Sequence, residues 1–227
     1  MEMIRVFIGY DYKEAVAFNV LCHSILDHAS EPVSITPVML SQMKGIYTRS
    51  RHELQSTEFS FSRFLVPYLC DFEGQAIFMD CDMLVRGDIS ELWQGFDDQF
   101  ALQVVKHNHK PTCDRKFLNQ TQTTYEKKNW SSVMLFNNPR CTALTTNYVN
   151  SASGLALHQF KWLDSDDLIG EIPHQWNLLV DYDEHDDHAK LVHYTEGGPY
   201  FDKYVQCDYA KDWFIAKEKM LHSDKPN

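Results

Sequence analysis

Residues 74–93 read GQAIFMDCDMLVRGDISELW. An apolar run, Ala76-Ile77-Phe78-Met79, leads directly into Asp80 and Asp82, with one cysteine between them. The run has the length of a buried strand, and side chains alternate along a strand, so the two carboxylates face one side and Cys81 the other. Two adjacent carboxylates without a cation repel each other or share a proton, whereas a hard divalent cation takes both as oxygen ligands. Acids are 32 of 227 residues, so chance alone supplies roughly four or five acid-x-acid pairs. Position carries more weight than the pattern, because α/β folds place functional groups just past strand ends. A turn of solvated acids is the competing reading.

Working outward, "MIRVFIGYD" reads as an apolar first strand ending at Gly9, and Asp11 with Glu14 forms a capping box for the helix that follows. Ala15, Phe18, Cys22, Ile25, Leu26 and Ala29 recur at helical steps and define its expected inner face. Residues 33–40, VSITPVML, alternate like a strand, and Pro37 assigns that strand to an edge or bend. Residues 59–72 read as a helix broken near Pro67. Further strands are expected at 75–80, 100–107, 130–137 and 189–194, and helices at 139–152 and 208–221. Ala210, Trp213, Phe214, Lys217 and Met220 are spaced to share one packed face of the last helix. Strands alternating with helices give an α/β class with a mixed, mostly parallel central sheet. No repeat or linker divides the chain, so a single domain over 1–227 is expected. Residues 106–129 are expected to form its most irregular insertion.

The bulk numbers exclude several classes. The net charge is −11, from 21 basic and 32 acidic side chains, which opposes non-specific binding to nucleic acid or an anionic membrane. A polyanionic ligand then needs local help from a cation, a few Arg or Lys side chains, or backbone N–H groups. Six cysteines show no C-x-x-C or zinc-finger spacing and read as reduced thiols. No signal-like or membrane-length apolar segment is evident, so the expectation is a cytoplasmic protein without a transmembrane segment. The acid and histidine run DYDEHDDH at 181–188 reads as a hydrated loop, and KHNHK at 106–110, with no accompanying acid or cysteine, enters no metal assignment.

In chain order, "VFIGYD", "STEFSFSRFLVP", "IFMDCDMLVRGDISELW", "SSVMLFN", Trp176-Asn177 and "LVHYTEGGP" resemble the family 8 retaining glycosyltransferases, and the likeness spans most of the chain. That resemblance implies a GT-A fold, with a nucleotide-binding part to about 107 and an acceptor-side part from about 108, and Mn²⁺-dependent transfer of a hexose from a UDP-sugar donor to a carbohydrate or other hydroxyl acceptor, with retention. It maps the metal ligands to Asp80, Asp82 and His193, with Mg²⁺ as the alternative ion. One imidazole beside two carboxylates suits Mn²⁺ better than Ca²⁺. It maps donor contacts to Gly9, Tyr10, Asp11, Arg63, Asp80, Cys81, Asp82 and Gly198. Two of these keep a plain structural alternative: Asp11 as a helix cap and Arg63 as a surface salt bridge.

The chain departs from the family pattern in three places. Glu196 and Pro199 stand where the late motif carries Gly and Lys, so the phosphate-binding lysine is not identified, and Lys203 is either its substitute or an exposed residue at a helix start. The acceptor-side acidic segment offers Asp164, Asp166 and Asp167; Asp166 is assigned as the catalytic, sugar-side group, with a solvated acidic turn as the alternative. Ser131-Ser132 replaces the usual small pair before an apolar strand. Two other functions compete: a sugar-nucleotide binder without turnover, and an aspartate-nucleophile phosphatase, which is disfavoured because such enzymes place D-x-D at the first strand.

Overall fold

The computed structural model describes residues 3–51, 55, 57–108 and 125–222, together with the backbone of 115–116 and 120–121. In chain order the elements are β1 (Ile4–Gly9), α1 (Ala15–His28), β2 (Val33–Val38), α2 (Val66–Leu69), β3 (Gln75–Met79), β4 (Met83–Val85), α3 (Ile89–Gln94) and β5 (Leu102–Val104). There follow β6 (Arg115–Lys116), β7 (Gln120–Thr121), β8 (Val133–Asn137), α4 (Thr146–Ser151), α5 (Gly154–His158), β9 (Ile169–Glu171), β10 (Leu178–Leu179), β11 (Leu191–His193) and α6 (Ala210–Leu221). Most of the insertion expected at 106–129 lies outside the described residues.

Six strands form the main sheet in the order β2-β1-β3-β8-β5-β9. The pairings β1 with β2, β1 with β3 and β5 with β9 are parallel, while β8 runs antiparallel to both β3 and β5. Five strands therefore point one way and β8 alone points back. Both parts expected from the sequence contribute strands, so they share one sheet. β3 and β8 are buried along almost their whole length, which explains their unbroken apolar runs. β2 lies at the edge, where Pro37 removes no ladder hydrogen bond that the sheet needs. A second sheet, β10-β11-β4, joins β11 antiparallel to β4 and parallel to β10.

The helices differ from expectation in instructive ways. α1 buries Ala17, Val20, Leu21, Ser24 and Ile25, whereas Leu26 is exposed. The stripe is displaced because α1 packs on two cores at once: Leu21 and Ile25 join the main cluster, and Val20 joins Leu84, Val192 and Trp213. Ser24 belongs in that stripe because its hydroxyl donates to Leu21 O and accepts from the Val85 N–H, tying α1 to β4. On α6, Trp213 is fully buried and Phe214 faces outward. Residues 59–72 form two short turns, Ser62–Leu65 and α2, and Pro67 sits in the first turn of α2, where its missing N–H is not needed. The helix expected at 139–152 is only α4, and the strands expected at 100–107, 130–137 and 189–194 contract to β5, β8 and β11. No described helix is long and apolar enough to cross a membrane. Cys22, Cys70, Cys81, Cys141 and Cys207 are free thiols.

Candidate metal and donor site at the strand exits

Because β8 runs against the others, its entry and the exits of β1, β3, β5 and β9 lie along one edge of the sheet. β3 leaves the sheet there. The Asp80 N–H donates to Ser132 O at 2.9 Å, Cys81 turns into the core, and Asp82 leads straight into β4. In the second sheet His193 pairs with Met83, the residue after Asp82, and the Tyr194 N–H donates to Asp82 O at 2.9 Å. This register is what brings residue 193 to residues 80 and 82. His193 Nε2 lies 3.4 Å from Asp82 Oδ1, and the ligand atoms of Asp80, Asp82 and His193 all lie within 4.8 Å of one another. An octahedral ion with bonds of about 2.1 Å separates adjacent ligand atoms by about 3.0 Å and opposite ones by about 4.2 Å, so this set fits a divalent cation after small side-chain adjustments.

A polar layer holds the cluster in place. His193 Nδ1 lies 3.1 Å from Asn177 Oδ1, and Asn177 Nδ2 donates to Ser132 Oγ at 2.8 Å. An amide oxygen accepts only, so Nδ1 carries a proton and Nε2, on the Asp82 side, is the ring nitrogen available to a metal. Ser132 Oγ is anchored in turn by donating to Asn129 O. Arg63 is buried, with Nη1 2.7 Å from Asp80 Oδ1 and 2.8 Å from Ser131 O. Its guanidinium carbon lies 5.2 and 5.1 Å from the Phe59 and Phe78 ring centroids. The ion pair that Arg63 makes lies below the surface, with Arg63 6% and Asp80 13% exposed.

The local charge favours a cation. The Cys81 thiol is pushed well above its usual range, first by burial and then by the negative charges of Glu14, Asp82, Asp80 and Asp11. Four carboxylates therefore surround one buried residue. Glu14 is fully buried, and its Oε1 accepts from the Tyr200 hydroxyl at 2.6 Å. Behind Arg63, the His158 imidazole packs among the rings of Phe61, Phe64 and Tyr125, with Nδ1 2.8 Å from Ser131 Oγ. Burial, with the Arg63 charge as a second cause, lowers its pKa to about 3.

Not every residue singled out from the sequence joins this cluster. Gly9 and Tyr10 lie at the exit of β1, but a Cβ on Gly9 would fall 2.3 Å from the Phe59 ring, so the glycine makes room for that ring. Tyr10 stacks edge-on against Phe18. Asp11 is buried and accepts from the N–H groups of Lys13 and Glu58, which is the capping role. A Cβ on Gly198 would fall 2.3 Å from the Tyr200 ring, so this glycine seats Tyr200 over Glu14. Cys81 presents no exposed side chain. Lys203 is exposed in the turn Asp202–Tyr204, 5.2 Å from the Tyr204 ring centroid. Asp166 is not brought to the cluster. It sits in the turn that enters β9, three strand positions from β3, or about 14 Å across a sheet of ~4.8 Å spacing. Its exposed carboxylate is 2.6 Å from Lys127 Nζ, which holds its pKa below the usual carboxylate value.

Sequence reasoning missed Glu14, Ser132 and Tyr200 as members of the site. Glu14 was legible only as a cap.

The mixed, mostly parallel six-stranded sheet, with helices packed on it, is the GT-A fold of glycosyltransferases. Comparison with known proteins places it further: residues 8–145 match the glycosyl transferase family 8, and the chain belongs to that family. It is 44% identical to Protein CDI of Arabidopsis thaliana over 230 residues, covering 97% of this chain and 88% of that protein. Among solved structures it resembles the WbbM bifunctional glycosyltransferase (TM-score 0.67, 15% identity, 95% of this chain) and spans only 49% of that chain. It also resembles the glycosyltransferase GlyE of Streptococcus pneumoniae (TM-score 0.60, 17% identity), covering 95% of this chain and 60% of that one. The galactosyltransferase LgtC, solved with donor and acceptor sugar analogues, matches with a TM-score of 0.59 and 11% identity over 99% of this chain and 98% of its own. At these identities the structural likeness speaks to the fold alone.

Proposed function

We propose that the protein transfers a hexose from a UDP-sugar to a hydroxyl of a carbohydrate or similar acceptor, with retention at the anomeric carbon, using Mn²⁺ held by Asp80, Asp82 and His193. The observation that carries this reading is the meeting of those three side chains at the strand exits, within 4.8 Å of one another and inside an excess of carboxylates. Bound there, the ion supplies Lewis-acid stabilisation of the charge that develops on the departing diphosphate. The chain's own residues do the positioning. Arg63 fixes Asp80 in one rotamer, Asn177 fixes the His193 tautomer, and Ser132 joins that pair to the start of β8.

With Asp166 paired to Lys127 at the sheet edge, we assign it no part in bond breaking. The front-face route, in which the leaving phosphate takes the acceptor proton, then needs no carboxylate beneath the sugar, whereas double displacement needs one from elsewhere in the chain. The test is incubation with a panel of UDP-sugars and Mn²⁺, with and without chelator. Release of UDP that stops on chelation and is lost in Asp82→Asn is the expected result. No UDP release and no UDP binding from any donor would sink the assignment. Tight Mn²⁺-dependent UDP binding without transfer or slow donor hydrolysis would favour a sugar-nucleotide binder, a reading motivated by the exposed position of Lys203.

A further inference from the structure

A second set of metal-ligand side chains gathers further along the strand-exit edge. His107, His174 and Asp183 each place a ligand atom within 4.8 Å of the other two. They come from three separate segments: His107 follows the exit of β5, His174 opens the turn His174–Trp176 beyond β9, and Asp183 follows β10. The two imidazoles meet edge to face with centroids 5.6 Å apart, and His174 Nε2 is 3.1 Å from Asp183 Oδ2. A tetrahedral zinc ion with bonds of about 2.0–2.1 Å holds its ligand atoms about 3.3–3.4 Å apart. One edge of that tetrahedron is thus already at the right length, and closing the others needs about 1.5 Å of movement or less. His174, whose side chain is 53% exposed, can supply the movement on the two edges it shares, and rotation of the Asp183 carboxylate, 25% exposed, closes the edge to the buried His107.

We propose that His107, His174 and Asp183 bind a zinc-class divalent cation, separate from the Asp80–Asp82–His193 centre and independent of any reading of the sugar-nucleotide chemistry. Two imidazoles and one carboxylate form a nitrogen-rich set that suits Zn²⁺, with water in the fourth position, whereas the first centre is oxygen-rich and suits Mn²⁺ or Mg²⁺. The segments it joins are those that shape the first centre. The turn opened by His174 runs directly into Asn177, the partner of His193, and His107 O accepts the Trp130 indole N–H at 2.8 Å just before Ser131 and Ser132. An ion here ties the β5 exit to the backbone that positions His193.

The test is calorimetric titration of chelator-stripped protein with Zn²⁺. The Asp80→Asn/Asp82→Asn variant should retain about one equivalent of bound zinc and show a raised Tm. Adding His174→Ala and Asp183→Asn should weaken that binding by about 100-fold or more and abolish the Tm shift, since loss of outer-shell partners alone costs 10–100-fold. If the aspartate variant does not fold, the comparison is made in the otherwise unaltered chain, where His174→Ala/Asp183→Asn should lower the zinc stoichiometry by one; both side chains reach solvent, so folding should survive. Zinc binding of unchanged stoichiometry and affinity after these two substitutions, or no bound zinc in the aspartate variant, overturns the proposal.

Discussion

Replacing Arg63 by Met tests the electrostatic core of the site. The methionine keeps an apolar stem against the Phe59 and Phe78 rings while removing the charge that faces Asp80 at 2.7 Å. Arg63 is buried and Asp80 mostly so, at 6% and 13% exposure, and Asp80 belongs to a group of four carboxylates, so the substitution removes the counter-charge that Arg63 supplies to it. Breaking a buried pair by removing one partner costs about 3–5 kcal/mol. For a chain of this size, about 2–4 °C of Tm accompanies each kcal/mol, so a fall of about 6–20 °C is expected without metal. Saturating Mn²⁺ should recover part of the loss, since the ion then compensates Asp80. Asp80→Asn in the Arg63→Met background should also recover stability, giving a coupling of about 2 kcal/mol or more in a double-mutant cycle. The assay is urea unfolding of the four proteins, with and without Mn²⁺. A cost below about 1 kcal/mol for Arg63→Met, or single effects that add within about 0.5 kcal/mol, would refute the reasoning.

Three further expectations follow from particular contacts. Asn177→Ala should weaken Mn²⁺ binding by about 10–100-fold, measured by calorimetry, while the unfolding cooperativity stays unchanged, because the residue sets the His193 tautomer. Gly9→Ala should destabilise by about 1–3 kcal/mol, since the new methyl meets the Phe59 ring at 2.3 Å, and Phe59→Leu should recover part of that loss. His158 has a folded-state pKa of about 3 against an unfolded value near 6.5, so between those limits the unfolded chain binds the extra proton. Its contribution is therefore complete above about pH 6.5 and declines as pH falls, by up to about 1.4 kcal/mol per pH unit. Denaturant midpoints at pH 5 and pH 7 should show this slope in the parent and a shallower one in His158→Gln.

Much of the sheet was legible because its strands are short apolar runs with clear ends. β1, β3 and β8 appear in the sequence close to where they occur in the fold, and Pro37 correctly marked an edge strand. Helices were read less well. The face of α1 is set by two cores rather than one, and periodicity alone cannot tell which neighbours a helix will have. The stretch around Pro67 read as a helix broken at the proline, and the structure shortens it to two turns, Ser62–Leu65 and α2, that place Arg63 beside Asp80. The acidic loop at 181–188 and the histidines at 106–110 were set aside separately for sound reasons, and only folding joined one residue from each to His174.

What the sequence determined by itself is the alternation of strands and helices, and the pair Asp80 and Asp82 on one face of the chain with Cys81 inside, because strand periodicity and the apolar run are local properties. The meeting of His193 with those aspartates, the service of Asn177 behind it and the placement of Asp166 at a distant edge were decided by the tertiary structure. Each depends on which strands pair and in which register, and pairing between segments more than a hundred residues apart is governed by the packing of the whole sheet.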